Sequence, residues 1–197
     1  VSVTLSLWGV LPIFLKFALD YYSAGTIVWF RFAFSFLILL WFLFLFRSGC
    51  EILFNPPLIG VLGGLALAAN YFGMTQGIHF SGPSNAAIII QLAPVFLVIA
   101  GVVLFRETIR LRQLVGIIIA MSGFYLFYLD RVRNAADNLN YSIANGWIVF
   151  AAVVWVFYMI CQKKLSVKYS AQTLNLLIYF VAMVALVPLV EWGEFFE

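Results

Sequence analysis

Polar side chains are scarce inside the apolar stretches of this chain, and the few that occur there have well-defined chemistry. Asn70 and Gln91 each interrupt a run of Leu, Ile, Ala and Val. A primary amide offers two N–H donors and an acceptor oxygen, which suits it to a solute's polar group or to a neighbouring helix. Arg31 stands about five residues into another run, where a guanidinium can hold an anion through paired N–H bonds. Trp8, Tyr71 and Trp155 supply aromatic surface. Gly9, Pro12 and Pro94 stand where a helix bends or breaks, because proline has no N–H and its ring collides with the carbonyl four residues earlier. This set is equipped to bind rather than to catalyse. The single His79 and the two cysteines, Cys50 and Cys161, have no metal-ligand spacing, so neither a metal nor another cofactor is expected. The carboxylates are scattered over different loops and leave the middle of every run empty, giving no acid–base pair and no evident carrier for a coupling ion.

The elements that must position these residues follow from composition. Of 197 residues, 65% are hydrophobic and 10% charged, against about 45–50% and about 25% in soluble domains. Mean hydropathy is +1.08, so lipid is the solvent for most of the chain. The formal charge of +3 comes from basic residues in short loops, not from a basic face interleaved with aromatics. No nucleic-acid partner is expected, and the basic residues read as topology signals.

Seven apolar runs of about 17–21 residues match about 30 Å of hydrocarbon at about 1.5 Å per residue. They cover 1–19, 26–46, 58–78, 85–105, 113–129, 146–162 and 173–190, separated by turn chemistry such as Asn55-Pro56-Pro57 and Ser81-Gly82-Pro83. Period-2 alternation is absent, which excludes a transmembrane barrel. Loops after the second, fourth and sixth runs hold seven basic residues, and those after the first, third and fifth hold two, Arg131 and Arg133. Basic residues cross membranes poorly, so the amino terminus is expected in the cytoplasm and the acidic segment with Glu191, Glu194 and Glu197 outside.

An internal repeat sets the expected architecture. Trp8, Lys16, Tyr22-Ser23-Ala24 and Thr26 recur as Trp155, Lys163, Tyr169-Ser170-Ala171 and Thr173, all displaced by 147 residues. That offset spans five runs, an odd number, so the second copy enters the membrane inverted, as in many secondary transporters. Residues 1–129 form the first five-helix repeat, 130–145 an extracytoplasmic loop, and 146–197 the first two helices of the second repeat. About 79 further residues, room for three helices, are expected to complete it; a homodimer partner is the alternative cover for the faces left open.

The segments Leu7-Trp8-Gly9 with Lys16, Arg31, Ser84-Asn85-Ala86-Ala87, Leu92-Ala93-Pro94-Val95-Phe96, Leu104-Phe105-Arg106-Glu107, and Gln113, Gly116 and Gly123 together resemble the EamA-type branch of the drug/metabolite transporter superfamily. The resemblance implies a ten-helix protein of two five-helix repeats in a bacterial-type cytoplasmic (inner) membrane. It also implies export or exchange of small organic solutes such as amino acids. Val156 and Met159 replace, in the second copy, the Gly9 and Pro12 of the first.

On this reading the substrate contacts are Trp8, Asn70, Tyr71, Gln91 and Trp155, around a cavity lined by the first, third, fourth and sixth helices, with Arg31 as an anion contact. Asn70 lies about 12 Å and Gln91 about 9 Å from the outer ends of adjacent helices, so the two amides are expected as neighbours, holding either a substrate or each other. Lys16 is expected to snorkel beside Asp20. Gly60, Gly64 and Ala68, followed by Gly73 and Gly77, mark close helix packing. Two other classes remain as alternatives, a seven-helix receptor or interaction protein and an integral membrane transferase.

Overall fold

The computed structural model describes residues 2–45, 50–106, 108–135 and 139–195. Among these residues eight α-helices run in order: α1 (Ser2–Ala18), α2 (Ala24–Leu45), α3 (Leu58–Ser81), α4 (Pro83–Ile89), α5 (Leu92–Phe105), α6 (Leu111–Ala135), α7 (Leu139–Leu165) and α8 (Ala171–Leu186). Short 3-10 turns occupy Cys50–Leu53, Val187–Leu189 and Trp192–Phe195. No strand occurs among the described residues. Five helical stretches, Ala24–Phe44, Leu58–Ser81, Pro83–Leu104, Ser142–Leu165 and Ala171–Leu189, are long and apolar enough to cross a membrane. The fold is that of a polytopic helical membrane protein.

Each of the seven apolar runs is helical, with four differences from the expected outline. The run at 85–105 is two helices, α4 and α5, broken at Ile90–Gln91. The break falls just before Pro94, whose ring would collide with the Ile90 carbonyl in a continuous helix. That carbonyl is not left free, because it accepts from the Ala93 N–H at 2.9 Å. In α1, by contrast, the helix continues through Gly9 and Pro12. The stretch 130–145, expected as a loop, is largely helical, since α6 extends to Ala135 and α7 begins at Leu139. Its polar residues mark where helices leave hydrocarbon rather than where they end. Finally, α1 has 17 residues and the apolar part of α6 covers only Leu111–Phe127, so these two fall short of the length that marks the other five.

The centre of the bundle is α3, and its glycines explain why. A Cβ on Gly73 would lie 3.2 Å from the Phe150 ring and from the Trp147 carbonyl, and one on Gly77 would collide with Ile148. A Cβ on Gly60 would lie 2.6 Å from Leu177, and one on Gly64 2.7 Å from Val181. Thus α3 runs antiparallel to α7 along Gly73 and Gly77, and parallel to α8 along Gly60 and Gly64. Lipid offers no hydrophobic drive for helices to associate, so backbone approach through small residues supplies the dispersion contacts instead. Val28, Phe32, Leu67, Ala68, Leu174, Leu177, Ile178 and Ala182 fill the buried core between α2, α3 and α8.

The 147-residue repeat reappears as repeated geometry. Helix α1 ends at Ala18 and α2 starts at Ala24, while α7 ends at Leu165 and α8 starts at Ala171, the same displacement at both boundaries. Ser23 caps α2 by accepting from the Thr26 N–H at 3.4 Å, with Ser23 Oγ 2.9 Å from Thr26 Oγ1. Ser170 caps α8 identically, at 3.2 Å and 2.9 Å to Thr173. Among the described residues only the first cap is covered. Glu194 accepts from the Ser23 N–H at 2.7 Å, the Glu191 N–H donates to Thr26 Oγ1 at 3.2 Å, and Trp192 meets Trp29 edge-on at 5.5 Å.

Two outcomes test this packing. Gly64→Leu should cost about 1–3 kcal/mol through overpacking, read as a lower Tm in detergent, whereas Gly123→Ala, with open space around it, should leave Tm unchanged or raise it by the equivalent of up to about 1 kcal/mol. Equal Tm values for wild type and Gly64→Leu would refute the α3–α8 approach. Glu194→Ala should speed hydrogen exchange at the Ser23 amide by about tenfold, while the Thr173 amide, at the uncovered cap, should exchange as before.

Candidate functional site

A cation lies inside an apolar span. Arg31 sits about 10 Å along α2 from its amino-terminal end, half-buried, with its Cζ 4.9 Å from the centroid of the Tyr71 ring on α3. Among the described residues no carboxylate pairs with this guanidinium and no oxygen accepts a hydrogen bond from it. A cation–π contact of this kind is worth at most about 2 kcal/mol when desolvated, and it leaves every N–H donor of the fork unmet. The surroundings are aromatic. Tyr71 meets Phe32 edge-on at 5.2 Å, and Phe32 meets Tyr179 of α8 at 5.9 Å. Tyr158 of α7 joins them, with Tyr71, Tyr158 and Tyr179 all within electrostatic reach of one another. The site is therefore built by α2, α3, α7 and α8, whereas the sequence pointed to the first, third, fourth and sixth helices.

The two expected amides separate. Asn70 is buried and donates through Nδ2 to the Ala151 carbonyl of α7 at 2.8 Å. Gln91 lies exposed at the α4–α5 break, in a groove of about 240 Å³ that it shares with Ala87, Leu92 and, from α6, Met121 and Phe124. The two amides face different helices and are not neighbours, because the α3 glycines draw the Asn70 face onto α7. Pro94 is exposed in the first turn of α5. Trp155 is half-buried on α7, one turn before Tyr158 and one turn before Met159, which lines a second groove of about 390 Å³ between α5, α7 and α8. Trp8 and Gly9 belong to α1, but their side chains lie outside the described residues, and Pro12 is half-buried. Of the expected contacts, then, Arg31 and Tyr71 are brought together, while Asn70 and Gln91 face different helices.

Sequence reasoning missed Tyr158 and Tyr179. A usable signal existed for Tyr179, since it is the repeat counterpart of Phe32, displaced by 147 residues. It also missed the polar clamp that joins the carboxy-terminal end of α3 to the amino-terminal parts of α4 and α7, where buried Asn85 donates to Ser81 Oγ at 3.0 Å and to Asn145 Oδ1 at 2.7 Å. Lys16 donates weakly to the His79 carbonyl at 3.5 Å in place of the expected Asp20 pairing. The turn before α6 is fixed by Gln113, whose Oε1 accepts from the Arg110 N–H at 2.9 Å.

Comparison with known proteins places this geometry in a family. Residues 2–129 match the model of the EamA-like transporter family. An uncharacterized transporter of Haemophilus influenzae is 32% identical over 197 residues, covering 98% of this chain and 63% of that protein. The uncharacterized inner membrane transporter YhbE of Escherichia coli K12 is 28% identical over 193 residues, covering 94% of this chain and 60% of its own length. An S-adenosylmethionine uptake transporter of Rickettsia prowazekii is 26% identical over 166 residues, covering 83% of this chain and 52% of that protein. The chain thus spans about three-fifths of the length of the first two relatives. No solved structure matches it. With its membrane-spanning helices, its family match and these relatives, the chain belongs to the EamA-like transporter family and is a multi-pass inner-membrane protein.

Proposed function

We propose that this protein moves small organic metabolites, amino acids among them, across the inner membrane by exchange or export through alternating access. The observation that carries this reading is the half-buried Arg31 against Tyr71, held by no carboxylate among the described residues. A charged group within a membrane span is expensive, and such residues mark substrate pathways more often than structural joints. The repeated caps of α2 and α8 support the mechanism, since two inverted copies rocking about a shared site is how such folds alternate access. A relative named for S-adenosylmethionine uptake supports a small organic substrate. Gln91, Trp8 and Trp155 remain wall candidates for the same pathway, with the amino terminus in the cytoplasm.

The test is counterflow in vesicles containing the protein, preloaded with an unlabelled amino-acid mixture and given labelled amino acids outside. Wild type should accumulate label transiently, and Arg31→Ala should reduce the initial rate by about a hundredfold, the loss expected when a substrate's charged group loses its hydrogen-bonding partner. Asn70→Ala should instead lower Tm by the equivalent of about 0.6–1.7 kcal/mol and leave KM unchanged, because its amide is committed to Ala151. Absence of counterflow for every amino acid would remove the amino-acid reading. A KM change in Asn70→Ala would return that residue to the pathway.

A further inference from the structure

The offset of 147 residues makes Phe32 of α2 and Tyr179 of α8 repeat counterparts, and these two rings touch at 5.9 Å. In a pseudo-twofold arrangement, equivalent residues meet only at the axis itself. For inverted repeats that axis lies in the membrane plane, where substrate sites of such carriers are found. Depth agrees: each ring lies about 12 Å along its helix from the helix start, and the two helices start at opposite faces of the bundle.

The groups gathered at this point are not symmetric. Arg31 is the one cation of the cluster among the described residues, and its counterpart in the second copy is Ile178, which is buried in the core. Tyr71 of α3 lies under it, and Tyr158 of α7 and Tyr179 of α8 lie beyond, packed against the same buried cluster as Tyr71 and within its electrostatic reach. Phe32, Leu67 and Leu177 supply apolar walls. The donor set is therefore a planar fork of N–H groups plus hydroxyls that can donate, with no carboxylate among the described residues there to take them. One carboxylate matches it in shape and in charge, since its two oxygens take the guanidinium edge in parallel and their remaining lone pairs accept from hydroxyls. A dianion would leave a buried negative charge uncompensated, and a cation would face Arg31.

Resting on the carrier reading above, we infer that Arg31, Tyr71, Tyr158 and Tyr179 form a mid-membrane site for the carboxylate of a monoanionic or zwitterionic substrate. Tyr158 and Tyr179 donate from the second repeat while Arg31 and Tyr71 bind from the first. The substrate thereby bridges the two repeats across their axis. Dianions and decarboxylated amines are excluded by charge.

The experiment measures binding and flux separately, on the full chain in phosphatidylcholine vesicles so that no anionic lipid supplies the charge. The probes are L-phenylalanine and its amide, which differ only in the carboxylate. L-Phenylalanine should raise the Tm of wild type and be taken up, while the amide should do neither. Tyr158→Phe and Tyr179→Phe should each weaken phenylalanine binding about three- to tenfold, and Arg31→Gln about a hundredfold, with all three proteins still folded by circular dichroism. Tyr179→Phe merely restores the residue type of its counterpart, Phe32, and so is the variant least apt to disturb the fold. Binding without flux overturns the carrier reading and leaves the site standing. Flux of phenylalanine that the tyrosine and arginine variants do not change overturns the site and leaves the carrier. Equal binding of acid and amide, or no stabilisation by the acid in wild type, also overturns the site.

Discussion

The close approach of α3 to α7 and α8 is the contact on which the rest of the structure depends. In water such helices would associate to hide apolar side chains, but lipid removes that drive and leaves dispersion, small polar bonds and backbone proximity. Glycine at 60, 64, 73 and 77 lets α3 touch α8 on one side and α7 on the other. Once the three helices are this close, Asn70 can reach the Ala151 carbonyl, and the α3 face carrying Tyr71 is turned towards α2. Larger residues along the stripe would push the helices apart and separate the phenols that α3, α7 and α8 contribute.

The same approach creates the site's electrostatic tension. Arg31 is drawn over the Tyr71 ring, where the ring's negative face balances part of its charge but offers no lone pair in the plane of the guanidinium. A structural role would be served better by an acidic partner, which the described residues do not provide. The phenols of α7 and α8 add polar hydrogens to a setting otherwise walled by Phe32 and leucines.

The two caps show how one short motif can serve opposite faces of a membrane. Ser23 with Thr26, and Ser170 with Thr173, make the same bonds at the starts of α2 and α8. The first is closed over by Glu191, Trp192 and Glu194, while Ser170 lies exposed at the other end.

Much of this was legible in the order of residues alone. Membrane residence, the helical class, the seven apolar runs and the 147-residue repeat follow from hydropathy and spacing, because the bilayer requires a fixed length of apolar chain and internally satisfied backbone. The glycine stripe was readable as packing, since small residues at helical spacing have that use whatever their partner. The stripe did not reveal which helix each glycine meets, and that choice separated Asn70 from Gln91 while uniting Arg31 with Tyr71. Proline showed the same limit: Pro94 accompanies a true break and Pro12 does not, although both carry the same missing N–H. Tyr158 was invisible as a candidate because nothing in a tyrosine within an apolar run tells which neighbour it will face, and Tyr179 was marked only by its repeat relation to Phe32. Local chemistry acts over one or two turns and is written in the chain, whereas a site assembled from four helices depends on crossing geometry that only their mutual packing settles.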